Sequence, residues 1–551
     1  MKHRTFGGRE AIMANTQLFQ STRGRSVPAT TTTNDAGGKA YELSPEAALA
    51  RYAMTGCLSN TFYVKAEDHL DRVLDLAQQC QPEFIGKLAV VGRQEGHMKD
   101  MPALLMAVLA SRSKDGVVSR AVLKKAFPKV IDNGRMLRNF VQIMRSGQLG
   151  RKSLGTGPRN LVRGFFESNA PNWLFRQLSV GQSPSGSDII KMVHPKAKSP
   201  EHEALFGYMI DKVGVNSEKW GSLPSLVKEF AAWKADRDLP PPAVPFQLLT
   251  AQPLTGEQWA KIFRNSGWHF VRMNLNTAIR QGALKADPGL EEFIADKLRD
   301  AETIRKARVM PYQIMAAYKH VSSEIPRSIV DALHDAMEIS VENVPEIDGE
   351  IVVVVDVSGS MSSSISGGWG AGGMGDKRSK VRCVDVAALF SSAILRKNRS
   401  ATVLPVDTQV YGDYRPEPRD SIMTNAANLA RFGGGGTSLG LAFDHMAQKK
   451  MKPDTVIVIS DQESWADSGY GFGFGRSDGT EMMRQWEQAK KGPNSKLICI
   501  DIVPGRTHQA VEGRSDILMV SGWNDSVFRV VGAYTNGDAN SWLEVVEKTA
   551  L

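Results

Sequence analysis

From residue 44 to about 340, apolar residues recur every three or four positions, with Leu70, Val73, Leu74 and Ala77 forming one stripe and Leu137, Phe140, Val141 and Met144 another. That spacing puts each set on one face of a helix, and no alternating pattern of strand type interrupts it. Pro82, Pro102, Pro128, Pro158, Pro171, Pro224, Pro311 and Pro326 stand where helices are expected to start or stop, because proline lacks the N–H that a helix interior needs. Many helices of roughly one to two dozen residues with short connections predict a solenoid, in which each helix pair buries its apolar face against its neighbours. Pro240, Pro241, Pro242 and Pro245 read as a stiff connector inside that array. No strict sequence repeat accompanies the pattern.

After Pro345 the texture changes. Residues 351–355 (IVVVV) are a continuous β-branched run, a helical pattern follows over 381–396, and apolar runs return at 401–406, 455–459 and 497–502. Strands buried on both faces and alternating with helices predict a doubly wound parallel α/β sheet. Residues 1–40, rich in Thr, Ser, Gly and Asn, are too polar and unpatterned for a core and read as an extended arm. The expected organisation is therefore multidomain: an arm over 1–40, an all-α domain over 41–345 and an α/β domain over 346–551.

Composition narrows the function classes. No stretch reaches the roughly 18 apolar residues of a membrane-spanning helix, and Lys2, Arg4 and Arg9 have no apolar run behind them of the kind a secretory signal carries. Both Met1 and Met13 could start translation. Cys57, Cys80, Cys383 and Cys499 lie far apart with no CxxC pair, a pattern of buried thiols in a reducing cytoplasm. The charge is one-sided: residues 1–345 hold 46 Lys and Arg against 34 Asp and Glu, whereas residues 346–551 hold 22 against 25. Such an excess is the long-range field of a surface that meets phosphates, although a merely soluble basic domain has the same balance.

The run at 351–355 leads directly into Asp356, Ser358 and Ser360, a D-x-S-x-S sequence at the carboxyl end of a buried strand, where open α/β sheets bind ligands. A second buried run ends in Ser460 and Asp461, and a loop of four glycines, 433–436, presents Thr437 between them. Two carboxylates and three hydroxyls are thus expected to converge on one sheet edge. Oxygen ligands of low total charge suit a hard cation such as Mg²⁺ and leave a coordination position open. Capping of turns by the same Asp and Ser residues is the plainer alternative. No Lys precedes Thr437, so the glycine loop is not a phosphate loop, and residues 471–475 (GFGFG) do not stand at a strand-to-helix turn. The five oxygen ligands resemble the metal-ion-dependent adhesion site of von Willebrand factor A domains, here Asp356, Ser358, Ser360, Thr437 and Asp461.

The helical half resembles the TROVE module, and over nearly the whole chain the match is to the Ro autoantigen family and its bacterial relatives. Residues 17–29 (QLFQSTRGRSVPA), 52–63 (YAMTGCLSNTFY), 188–198 (DIIKMVHPKAK), 329–343 (IVDALHDAMEISVEN) and 460–465 (SDQESW) carry the resemblance. It implies a ring of HEAT-like helical repeats closed by the A domain, working as a monomer without catalysis of its own. It also implies small noncoding Y RNA on an outer basic surface, single-stranded 3′ ends of misfolded RNA in a central hole, and an exoribonuclease as a working partner in RNA quality control. His194, flanked by Lys191, Lys196 and Lys198, matches the family's Y-RNA histidine. The family's two upstream basic residues fall within 176–186, where Arg176 alone is basic. Arg135, Arg138 and Arg145 begin a second basic stretch continuing through Arg151, Lys152, Arg159 and Arg163, read either as RNA-contacting or as a solvated helix face. The competing function is a protein-binding scaffold, in which an acidic side chain of a partner completes the metal's coordination. An RNA-processing enzyme has little support, since no nucleophile with a base and no second carboxylate cluster is visible.

Overall fold

The computed structural model describes residues 27–56, 60–112, 115–251, 253–307, 309, 311–342, 344–365, 381–466, 479–523, 526–537 and 541–551. The resemblance-bearing residues 17–26, Cys57 and the GFGFG run at 471–475 lie outside them. Eight strands are present among these residues: β1 (Thr32–Thr33), β2 (Lys39–Glu42), β3 (Ile351–Asp356), β4 (Thr402–Val406), β5 (Thr455–Ser460), β6 (Lys496–Asp501), β7 (Thr507–His508) and β8 (Ile517–Ser521).

Among the described residues between β2 and β3, every regular element is a helix. Leu137, Phe140, Val141 and Met144 sit fully buried on one face of helix Gly134–Arg145, and Val73 and Ala77 do so on helix Ala66–Gln79. Pro82 and Pro171 occupy the first positions of their helices, where the missing N–H has no partner to lose. Pro128 departs from the expectation: it lies inside the last turn of helix Gly116–Val130, which ends two residues later. Most helices pack on helices close by in the chain order. Helix Pro82–Gln94, for example, meets both Met101–Ser111 and Gly116–Val130, and Leu290–Arg299 meets Arg327–Ser340. This neighbour-on-neighbour packing is the HEAT-like architecture.

The array closes on the α/β domain. Its first helix, Pro45–Thr55, packs on β8 and on the C-terminal helix Trp542–Lys548, while its last two, Pro311–His320 and Arg327–Ser340, pack on Cys383–Lys397 and Ile422–Leu429. Both ends resting on one domain make a ring. That domain is a five-stranded, wholly parallel sheet in the order β4-β3-β5-β6-β8. Alternation divides its two cores: Val353, Val355, Ile457 and Ile459 join the core shared with the ring, and Val352, Val354, Val456 and Val458 pack with Phe443 and Trp486 on the other face.

Residues 27–40, read from composition as part of a polar arm, are built into this domain together with Tyr41 and Glu42, the first residues of the expected all-α unit. β1 pairs with β2, and β2 pairs antiparallel with β7. Ala40 is fully buried, and Tyr41 packs with Val27 against the outer core of the sheet. The junction is sealed by Arg51, only 2% exposed, whose guanidinium donates to the carbonyls of Val503 (2.9 Å), Thr507 (2.7 Å) and Asp461 (2.8 Å). Among the described residues no helix is long and apolar enough to cross a membrane, and Cys80, Cys383 and Cys499 are buried free thiols.

Candidate functional sites

Asp356, Ser358, Ser360, Thr437 and Asp461 converge at the carboxyl edge of the parallel sheet, none of them more than 4% exposed. β3 and β5 are adjacent and in register through Val355 and Ile459, which brings the ends of both strands to one place. The Asp356 carboxylate accepts the Ser358 N–H (2.9 Å) and the Ser460 hydroxyl (2.6 Å). Ser358 and Ser360 share a hydroxyl contact of 3.1 Å, and Asp461 accepts the Glu463 N–H at 3.0 Å.

The glycine loop is stitched to the D-x-S-x-S turn through its backbone: Gly359 donates to Gly435 (2.8 Å) and Gly434 to Val357 (3.0 Å). Gly433 has φ +89°, and a Cβ there would lie 1.8 Å from the Val357 carbonyl oxygen, so only glycine fits. Asp407, buried beneath, accepts the Gly435 N–H at 3.2 Å. This fixes Thr437, whose Oγ1 is buried with no hydrogen-bond partner.

These features fit a cation. Burial pushes the Asp356 carboxyl up to about 7, and the neighbouring Asp461 carboxylate adds to the rise; burial raises Asp461 as well. Among the described residues neither carboxylate forms an ion pair. Two buried like charges facing an orphaned hydroxyl are what a hard cation would relieve, and the donor atoms are all oxygen. His, Cys, Asp and Glu alone form no metal-holding group of three or more among the described residues, so such a site depends on its hydroxyls. Sequence reasoning missed Ser460 and Asp407 as supports. It also missed Tyr63, which comes from the ring and whose phenol is pushed up to about 12 by burial and by nearby Asp461.

The basic residues divide into three settings. His194 caps helix Gly186–Val193 in the left-handed conformation (φ 49°) and is exposed together with Lys191, Lys196 and Lys198. Glu167 holds this turn by accepting the Lys196 N–H at 3.1 Å and pairing loosely with Lys198 at 3.7 Å, and Arg163 donates to the Val193 carbonyl. Arg145, also exposed, acts with Lys191 on Asp188 and so belongs to this patch. Arg176 stands apart, donating to the Ala243 carbonyl of the proline connector at 2.8 Å. Arg138 is not a surface residue: it is 8% exposed and donates to the Gln177 carbonyl at 3.2 Å. The helical period that puts Leu137 and Val141 inside carries their neighbour Arg138 in with them.

The third setting is a cavity of about 870 Å³ whose lining comes from both halves of the ring, including Arg93, His97, Lys99, Lys129, His269 and Arg272. Asp132 is its acidic lining residue, and Arg93 forks onto it at 2.9 Å. Burial, then Arg135 and Arg93, pull Lys99 below the ordinary lysine range. Burial likewise pulls Arg272 down to about 10, and its Nε is buried without a partner. Arg135, though outside the lining, acts electrostatically on Lys99 of this inner cluster. None of the cavity residues stood out in the sequence, because they are scattered from Arg93 to Gln313 and only ring closure assembles them.

Comparison with known proteins agrees with this architecture. The Ro60 vWA domain family matches residues 350–535. The RNA-binding protein RO60 of Deinococcus radiodurans is 24% identical over 534 residues, covering 92% of this chain and 95% of that protein. The crystal structure of the Deinococcus radiodurans RO (RSR) protein superposes with a TM-score of 0.61 at 21% identity, over 90% of this chain and 100% of the other. The α/β domain thus matches the Ro60 vWA domain family, and over nearly its whole length the chain is similar to the Ro protein of Deinococcus radiodurans and shares its ring-plus-sheet fold.

Proposed function

We propose that this protein binds RNA without catalysing a reaction on it, holding structured RNA on the outer turn at His194 and a single-stranded end in the ring cavity. The observation that carries the reading is the inner cluster. Burial, then Arg135 and Arg93, pull Lys99 down, and burial pulls Arg272 down beside it, a state that a phosphate backbone would relieve. A single strand suits a narrow basic channel better than a duplex does, because its bases can splay and stack while the backbone tracks the charges. The name of the Deinococcus relative supports RNA as the ligand class. Small Y-like RNAs and misfolded 3′ ends are the substrates we assign to the outer and inner surfaces, respectively.

Lys99→Ala should weaken binding of a single-stranded oligonucleotide and make its salt dependence shallower by about 0.7 on the log–log slope, the contribution of one phosphate contact. Replacing Lys191, His194 and Lys196 by Ala should act on a folded small RNA instead. Oligonucleotide affinity unchanged by Lys99→Ala, or independent of salt between about 50 and 200 mM, would refute the cavity assignment.

The A domain is proposed to bind a divalent cation, Mg²⁺ by its donor set, through Asp356, Ser358, Ser360, Thr437 and Asp461. The cation would supply one local positive charge with a coordination position open toward a partner. Asp356→Ala should abolish Mg²⁺ binding in titration calorimetry and leave RNA binding intact. Equal Mg²⁺ affinity in the variant and the parent would remove the site.

A further inference from the structure

Residues 34–38 of the arm, Asn-Asp-Ala-Gly-Gly, form a tight turn wedged between the ring and the loop that bears Asp461. Asn34 shapes the turn: its N–H donates to the Gly38 carbonyl (2.8 Å), and its Oδ1 accepts the Gly38 N–H (2.7 Å). On one side the turn is tied to the ring, because Arg72 of helix Ala66–Gln79 forks onto the Asp35 carboxylate with both bonds at 2.7 Å. On the other side it seats on residues 463–465. Asn34 Nδ2 donates to the Ser464 carbonyl at 2.9 Å, and Ala36 N–H to the Glu463 carboxylate at 3.2 Å. The approach is so close that a Cβ on Gly38 would lie 2.0 Å from the Ser464 carbonyl oxygen. Asn34, Glu463 and Ser464 are buried, so a bond lost here leaves a polar group that water does not readily satisfy.

The two residues held in this way are the ones that hold the proposed cation ligands. Glu463 N–H donates to the Asp461 carboxylate at 3.0 Å. Ser464 Oγ donates to the Thr437 carbonyl (3.2 Å) and accepts the Leu439 N–H (3.2 Å). The N–H groups of Trp465 and Ala466 end on the same Thr437 carbonyl, each at 2.9 Å. Residues 463–466 belong to no helix or strand, so their place is set by these bonds to Thr437 on one side and by the arm on the other. Asp461 and Thr437 come from different loops, and this segment fixes how far apart they stand. Resting on the reading of this site as a cation site, we propose that Asn34 is a positioning residue: through Ser464 it holds segment 463–466 so that Asp461 and Thr437 address one cation, while Asp35 and Arg72 anchor the same turn to the ring.

Asn34→Ala removes the donor to Ser464. Titration calorimetry of Mg²⁺ into the full chain should show an affinity lower by about tenfold in this variant, the lower end of the effect of losing an outer residue that orients metal ligands. Arg138→Met, a destabilising change in the ring far from the site, serves as the control and should bind Mg²⁺ as the parent does. Coupling is reciprocal, so Mg²⁺ should also slow amide hydrogen exchange in the parent at 36–38 together with 463–466, a measurement that needs no variant to fold. Parent-like affinity in folded Asn34→Ala, an equal loss in Arg138→Met, or protection of 463–466 with none at 36–38 would overturn the role of Asn34 while leaving the cation site standing. No Mg²⁺ binding by the parent would overturn the cation reading and this inference with it.

Discussion

Arg51 is the single side chain on which the union of ring and sheet most depends. Its three charge-assisted bonds end on carbonyls of the A domain at 2.7–2.9 Å, and its Nε also lies 3.6 Å from the buried Asp501 carboxylate. Arg51→Met keeps the length of the stem and removes the guanidinium, taking the donor from three buried carbonyls and leaving Asp501 with the His508 imidazole (3.1 Å) and the Ser521 hydroxyl (3.4 Å) as its partners. Each charge-assisted bond is worth about 1.5–3 kcal/mol, and breaking a buried ionic contact costs about 3–5 kcal/mol; water entering the vacated space offsets part of the sum, so a loss of about 4 kcal/mol is expected. Burial alone would raise the Asp501 carboxyl, but His508 and Arg51 together hold it below the ordinary range, so its protection against acid should weaken too. Urea unfolding followed by tryptophan fluorescence measures the change, with Arg51→Lys as the graded control, since an ammonium keeps the charge but not the three-way fork. If Arg51→Met unfolds within about 0.5 kcal/mol of the parent, the surface-substitution range, the junction is not held by this residue and the reasoning is wrong.

Burial and the nearby Arg72 pull His69 from 6.5 to about 4, and its Nδ1 is buried without a partner. The unfolded chain therefore takes up the proton first: His69's contribution to stability is complete above about pH 6.5 and is lost as pH falls toward 4, by at most about 3 kcal/mol. His69→Gln should flatten that limb of the stability–pH curve, and an unchanged curve would count against the assignment. Arg138→Met should cost about 1–3 kcal/mol of stability through the unsatisfied Gln177 carbonyl, with the salt slope of RNA binding unaltered, whereas Arg135→Met should weaken RNA binding and leave unfolding unchanged. An exchange of those two phenotypes would reverse the assignment of the packed and the RNA-facing arginine.

The apolar pattern by itself determined the two kinds of architecture. Periods near 3.6 over 44–340 and continuous β-branched runs after 345 are local signals, set by which faces of each element must be buried. The four runs at 351–355, 401–406, 455–459 and 497–502 are β3 to β6, while β8 (ILMVS) was missed because its five residues mix with turn residues on both sides. The five proposed cation ligands were also legible, since each stands at a strand end or in a glycine loop whose position follows from strand order. What only the tertiary structure decided are the relations between distant segments. Ring closure brings Lys99 to Arg272, β2 finds β7 across more than 460 residues, and Arg51 reaches the Asp461 carbonyl from the other domain. The fate of Arg138 was decided there as well, because charge in a sequence marks a surface only until packing of the neighbouring helix is known. Local periodicity fixes what each element buries; which element it is buried against is set by long-range packing, for which a single sequence carries no pattern of comparable strength.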